Sequence, residues 1–132
     1  MSEAKIKSRP ERVLEDPGAR AVATLYAESY LNAAQANGVS SPETELDTFV
    51  DEVLGKFAEF AELLLSDSVG RDDKLALINR VVAPRSTEFF ANFLRVLARH
   101  GRFDMLPVIR VVVQRLQEQA EGKQRVRIRA AR

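Results

Sequence analysis

The segment from Phe90 to Ile109 constrains the fold most, because it predicts one helix, a tight stop and a second helix. Apolar residues before the stop recur at helical spacing, namely Phe90, Phe93, Leu94 and Leu97. Gly101 follows them, where a left-handed C-cap needs no Cβ atom. We expect Asp104 to cap the next helix and Pro107 to lie in its first turn, where N–H groups have no helical partner.

Similar start and stop signals predict helices along the rest of the chain. Asp16-Pro17 begins the first helix and Asn37-Gly38 ends it. Ser40-Ser41-Pro42 begins a second apolar-periodic stretch, which Gly55 interrupts, so this stretch is either one bent helix or two helices. A short helix begins at Arg71 and ends before Pro84.

The last helix is predicted from Asp104 to Glu121, with Gly122 as its C-cap. Beyond it, Gln124–Ala130 alternates polar and apolar residues, which is the period of a strand. The sequence therefore predicts an all-α fold, a compact six-helix bundle (five if the second and third helices are continuous), with a C-terminal strand-like stub. The predicted organisation is a flexible lead-in over 1–15, the bundle over 16–122, and over 123–132 a stub of a truncated or missing second domain.

Bulk properties exclude several function classes. A chain of 132 residues predicts one domain with a sizeable core, and the absence of Cys removes disulfides and thiolate chemistry. The net charge of +1 gives no overall bias toward nucleic acid or anionic membranes. No apolar run is long enough to span a bilayer, and residues 1–10 do not form a secretory signal. We therefore expect any membrane role to be indirect, through partners.

No arrangement of residues predicts catalysis. The six glycines are scattered, so no loop is suited to phosphate binding. His100 is the single His and lies in a last helical turn, where positive charge is favourable, and Asp72-Asp73 begins a helix, where carboxylates are favourable. We accordingly predict no catalytic residue, no cofactor, no metal and no small-molecule substrate. Phe89 and Phe90 are adjacent and point different ways, so one of them is a candidate for a partner groove.

The junction between the last two predicted helices resembles the delta subunit of F-type ATP synthases, the oligomycin-sensitivity-conferring protein family. The matching residues are Asn92-Phe93-Leu94, Leu97, Arg102-Phe103 and Leu106-Pro107. The resemblance implies a non-catalytic stator subunit that binds an N-terminal helix of the alpha subunit in the catalytic head. It also implies that a C-terminal domain holds the b subunits of the peripheral stalk, and that the complex makes ATP at the cytoplasmic face of a bacterial plasma membrane.

The same resemblance implies a partner groove between the first and fifth helices. The residues expected to form it are Val22, Leu25, Tyr26, Ser29, Phe89, Phe90, Phe93, Arg95 and Leu97. An alternative of a different class is a helical nucleic-acid-binding or regulatory module that uses its arginine-rich ends, such as Arg125, Arg127 and Arg129. A strongly salt-dependent affinity for RNA or DNA would favour this alternative over the stator subunit.

Overall fold

The computed structural model describes residues 13–130, and their side chains as far as Gly122. Six helices form this part of the chain, as the sequence predicts. They are α1 (Pro17–Ala36), α2 (Pro42–Thr48), α3 (Ala58–Leu65), α4 (Arg71–Leu77), α5 (Glu88–Arg99) and α6 (Leu106–Ala130). Two helices continue beyond these bounds as π-helical segments, α2 over Phe49–Leu54 and α4 over Ile78–Val82. Short 3₁₀ turns occupy Ala83–Arg85 and Phe103–Met105.

Local chemistry fixes several helix ends. Asp16 is the N-cap of α1, and its Oδ2 accepts a hydrogen bond of 2.9 Å from the Ala19 N–H. Thr87 caps α5 in the same way, with 3.1 Å between its Oγ1 and the Phe90 nitrogen. Gly38 and Gly101 follow α1 and α5 with φ of +71° and +68°, which favours glycine. The predicted ends at Asp16, Gly38 and Gly101 are confirmed.

Gly55 separates two helices, so the bundle has six helices and not five. The Gly55 N–H donates to the Val50 carbonyl at 3.0 Å and completes the π-helical segment. Phe57 then leaves helical geometry, with φ −113° and ψ 78°. A Cβ atom at position 55 would lie only 2.4 Å from the Asp51 carbonyl oxygen, so this close passage of the backbone needs glycine.

Three predictions about α6 are wrong. Asp104 lies within the 3₁₀ turn Phe103–Met105 and does not cap the helix. Gly122 lies inside α6, which continues to Ala130, so Gly122 is not a C-cap and Gln124–Ala130 is not a strand. A lone strand leaves its backbone groups unpaired, whereas a continued helix pairs each N–H with a carbonyl four residues earlier. That backbone requirement outweighs the two-residue alternation.

The core lies between α6 and the other helices, with α1 packed along α6. Ala23, Ala27 and Ala34 form the small buried row of α1, which lets the two helices approach closely. Leu14, within the predicted lead-in, is also buried in this core, while residues 1–12 lie outside the described part of the chain. The domain boundaries at 15 and 122 stay predictions.

Candidate partner-binding groove

Helices α1 and α5 lie side by side and run antiparallel; we call the surface between them the α1–α5 groove and the two helices its walls. Tyr26 of α1 lies beside His100 at the end of α5, whereas Tyr30, one turn further along α1, lies beside Phe89 and Phe93 near the start of α5. The Tyr30 ring centroid is 4.6 Å from that of Phe93 and 5.1 Å from that of Phe89. Aromatic contacts therefore join the two helices.

Tyr30 connects α1 with α2 and α5. Its side chain is buried, and its hydroxyl donates a hydrogen bond of 2.6 Å to the Pro42 carbonyl at the start of α2. Burial raises the pKa of the Tyr30 phenol well above its usual range, and the nearby carboxylates of Glu45 and Glu43 act in the same direction. A neutral, hydrogen-bonded phenol thus holds α1, α2 and α5 in register.

Apolar side chains remain exposed along both walls. On α1, Leu25 is 62% exposed, and Val22 and Tyr26 are partly buried. On α5, Phe93 is partly buried and Val96 is 36% exposed. Val96 is not among the residues predicted from the sequence, although its spacing of three from Phe93 and seven from Phe89 places it on the same helix face. The groove is completed by the exposed Ser29 of α1 and the partly buried Phe89 of α5.

One end of the groove is closed by a polar contact. The Tyr26 hydroxyl and the His100 Nδ1 form a hydrogen bond of 2.7 Å, and their ring centroids are 6.1 Å apart. His100 is the C-cap residue of α5, as expected for a His in a last helical turn, but its side chain also has a direct role between the walls.

Three of the predicted groove residues do not line the groove. Phe90 and Leu97 are fully buried in the core, because they lie one helical step from the α1-facing row. Arg95 points toward α4, where its Nε donates to Asn79 Oδ1 at 2.7 Å and its Nη1 contacts Glu88 Oε2 at 2.9 Å. Sequence periodicity identified α5 as amphipathic, but it could not assign each flank of the helix to a neighbour.

Within the described part of the chain, no helix is long and apolar enough to cross a membrane. Among the side chains described up to Gly122, no group of three or more His, Asp or Glu could hold a metal ion. The arginines of the nucleic-acid alternative at 125, 127 and 129 lie beyond those side chains, so that alternative stays a prediction.

The fold, with exposed apolar side chains on α1 and α5, defines the class of protein as a small all-α helical-bundle module. Comparison with known families identifies the module. A sequence model of the ATP synthase delta (OSCP) subunit matches residues 22–132, and the chain belongs to this family. The family is a non-catalytic structural subunit of ATP synthase.

Two bacterial relatives are similar over most of this chain. It is 30% identical over 106 residues to ATP synthase subunit delta of Chlorobium phaeobacteroides, covering 80% of this chain and 59% of the relative. It is 26% identical over 117 residues to the subunit of the same name from Rhodopirellula baltica, covering 88% and 52%. The chain thus spans between half and three-fifths of the length of these relatives. No solved structure matches it.

Proposed function

We propose that the α1–α5 groove binds the N-terminal amphipathic helix of the ATP synthase alpha subunit, making this chain a stator element at the catalytic head. The observation that carries the proposal is that Leu25 of α1 and Val96 of α5 are apolar and exposed, on two helices joined by aromatic contacts. A helix laid between them would cover both, together with the edges of Tyr26 and Phe93. Burial of that apolar surface provides affinity without any reaction.

The two walls of the groove differ in length. The α1 wall is a helix of 20 residues and the α5 wall one of 12. A helical peptide of about twenty residues is about 30 Å long, so it would reach from one end of α1 to the other. The Tyr26–His100 pair would then lie under the part of the peptide that crosses the end of α5.

The wider role follows from membership of the family and belongs to the same proposal. The chain would link the alpha subunit to the b subunits of the peripheral stalk, the latter through a C-terminal domain. It would lie at the cytoplasmic face of a bacterial plasma membrane, attached through these partners. By resisting rotation of the head, this link would support proton-driven ATP synthesis.

The test is titration of the full chain with a synthetic peptide of the first ~20 residues of the alpha subunit from the same organism, long enough to cover α1. Calorimetry would give the affinity and stoichiometry, and backbone amide shifts would locate the site. We expect one-to-one binding with shifts along α1 and α5. If the folded chain does not bind the peptide, or if the shifts lie elsewhere, the groove assignment is wrong.

A further inference from the structure

A second concave surface lies away from the α1–α5 groove. A cavity of about 610 Å³ opens between the π-helical end of α2, the start of α3 and the end of α4. Its walls are largely apolar, with Phe49, Val53, Phe57, Phe60, Val81 and Val82 contributing side chains. Volume and lining are those of a pocket for a small apolar ligand, since such pockets run from about 300 to 1,000 Å³. None of the exposed groove residues lines this cavity.

Both π-helical segments of the described chain face this cavity. Phe49 and Val53 come from the segment after α2, and Val81 and Val82 from the segment after α4. π-helical turns are rare, and they occur frequently at functional sites. Because both π-helical segments line the same cavity, we interpret the cavity as a binding pocket.

Phe57 lines the cavity, but its side chain is only partly covered by protein. Its side chain is 61% exposed although it belongs to the apolar lining. It is held there because the Phe57 backbone joins two helices, with its N–H donating to Val53 and its carbonyl accepting from Ala61. A ligand chain inside the cavity would cover this ring and gain the free energy of burying it.

Among the side chains that the structure describes, those lining the cavity include one cation, Arg85, and one carboxylate, Glu45. Arg85 lines the cavity, is exposed, and donates from Nη1 to the Val81 carbonyl at 3.1 Å, with no carboxylate partner among the described side chains. Glu45, the rim carboxylate, is instead bound to Thr87, whose N–H and hydroxyl donate to it at 3.0 Å and 2.8 Å. Arg85 therefore keeps free guanidinium donors, which suit a carboxylate.

We propose that this cavity binds an unbranched carboxylate amphiphile of the fatty-acid class. The alkyl chain would lie among the phenylalanine and valine side chains, and the carboxylate would accept hydrogen bonds from Arg85 at the rim. The site is independent of the alpha-subunit groove, so either proposal can fail alone.

The test is titration of the full chain with decanoate, kept below its micelle-forming concentration, beside the neutral decanol. Calorimetry and backbone amide shifts would be recorded for both. We expect one-to-one binding with shifts at Val53, Phe57 and Val82, and tighter binding of decanoate than of decanol. The proposal is overturned if the folded chain does not bind decanoate, if the shifts lie at Leu25 and Val96, or if the alcohol binds as tightly as the acid.

Matched variants test the two parts of the site separately, Arg85 at the rim and Phe57 in the apolar lining. Arg85→Gln should weaken decanoate binding about fivefold, the scale of an exposed ion pair, and leave decanol binding unchanged. Arg80→Gln changes a nearby exposed arginine outside this cavity and should alter neither. Phe57→Ala should weaken both ligands, whereas Leu63→Ala, at another exposed apolar position of α3, should not.

Circular dichroism would confirm that each variant is folded. If the Arg85 and Arg80 variants change decanoate binding equally, the decanoate carboxylate does not bind Arg85, and the proposal is overturned. If the Phe57 and Leu63 variants weaken binding equally, the ligand's alkyl chain does not lie against Phe57, and the proposal is overturned. Displacement of decanoate by the alpha-subunit peptide would show a peptide site and would overturn the proposal as well.

Discussion

Tyr26 and His100 are 74 residues apart in sequence and are joined by a 2.7 Å hydrogen bond between the Tyr26 hydroxyl and the His100 Nδ1. This bond connects the middle of α1 to the C-cap of α5 across one end of the groove. Because both residues are at least partly accessible, water competes for the bond and limits its contribution to stability. Its main effect is on spacing, since it holds the two walls at a defined separation.

A double-mutant cycle measures this link. Tyr26→Phe and His100→Ala should each destabilise slightly, with a coupling free energy of about 0.5 to 1 kcal/mol in urea unfolding. The Tyr26→Phe change combined with Asn37→Ala, whose side chain bonds the Ala33 carbonyl at the far end of α1, should be additive. Additivity in the Tyr26–His100 cycle as well would mean that the bond is not formed in solution.

Tyr30 should make stability fall at alkaline pH. The pKa of its phenol is raised in the folded chain, mainly by burial, above the value of about 10 in an unfolded chain. The protonated phenol is therefore favoured by folding, and this stabilisation is complete below pH ~10 and is lost as pH rises through the folded pKa. The free energy of unfolding should decrease above pH ~10 more steeply for the parent than for Tyr30→Phe.

The chain has two tyrosines, so a tyrosinate absorbance titration can separate them. In Tyr26→Phe the remaining tyrosine should ionise only at strongly alkaline pH, together with unfolding. Ordinary ionisation of Tyr30 in that variant, with the fold intact, would contradict its buried position. In neutral solution Tyr30→Phe should also cost about 1 to 3 kcal/mol, because the Pro42 carbonyl loses its buried donor.

Leu25→Asp should weaken binding of the alpha-subunit peptide and leave the fold intact, because the side chain is exposed in the free protein. Full burial of a leucine contributes about 1.5 to 3 kcal/mol, so the affinity should fall by about ten- to a hundredfold. Gln35→Asp adds the same charge to the opposite flank of α1 and is the control. Equal affinities for the two variants in calorimetry would argue against the groove.

Gly122 and Gly101 should respond oppositely to alanine. Gly122 lies within α6 without a positive φ, and a Cβ atom there meets nothing within 4 Å, so Gly122→Ala should stabilise by up to about 1 kcal/mol. Gly101 has φ +68°, so Gly101→Ala should destabilise by about 1 to 2 kcal/mol. Urea unfolding measures both. A destabilising Gly122→Ala would restore Gly122 as the C-cap that the sequence predicts.

Local chemistry made much of the fold predictable. The caps at Asp16 and Gly38 and the stop at Gly101 depend on neighbours within a few residues, and the sequence displays those neighbours. The tail was mispredicted because a two-residue alternation indicates a strand only when another strand is present to pair with it.

The sequence by itself determined the all-α class, the absence of cysteine chemistry and the family resemblance, since each is written in residue types and short spacings. Only the tertiary structure decided which flank of α5 meets α1. An amphipathic stripe shows which side chains avoid water, but not whether the core, another helix or a partner covers them. Thus packing buried Phe90 and Leu97, turned Arg95 toward Asn79, and left Leu25 and Val96 exposed.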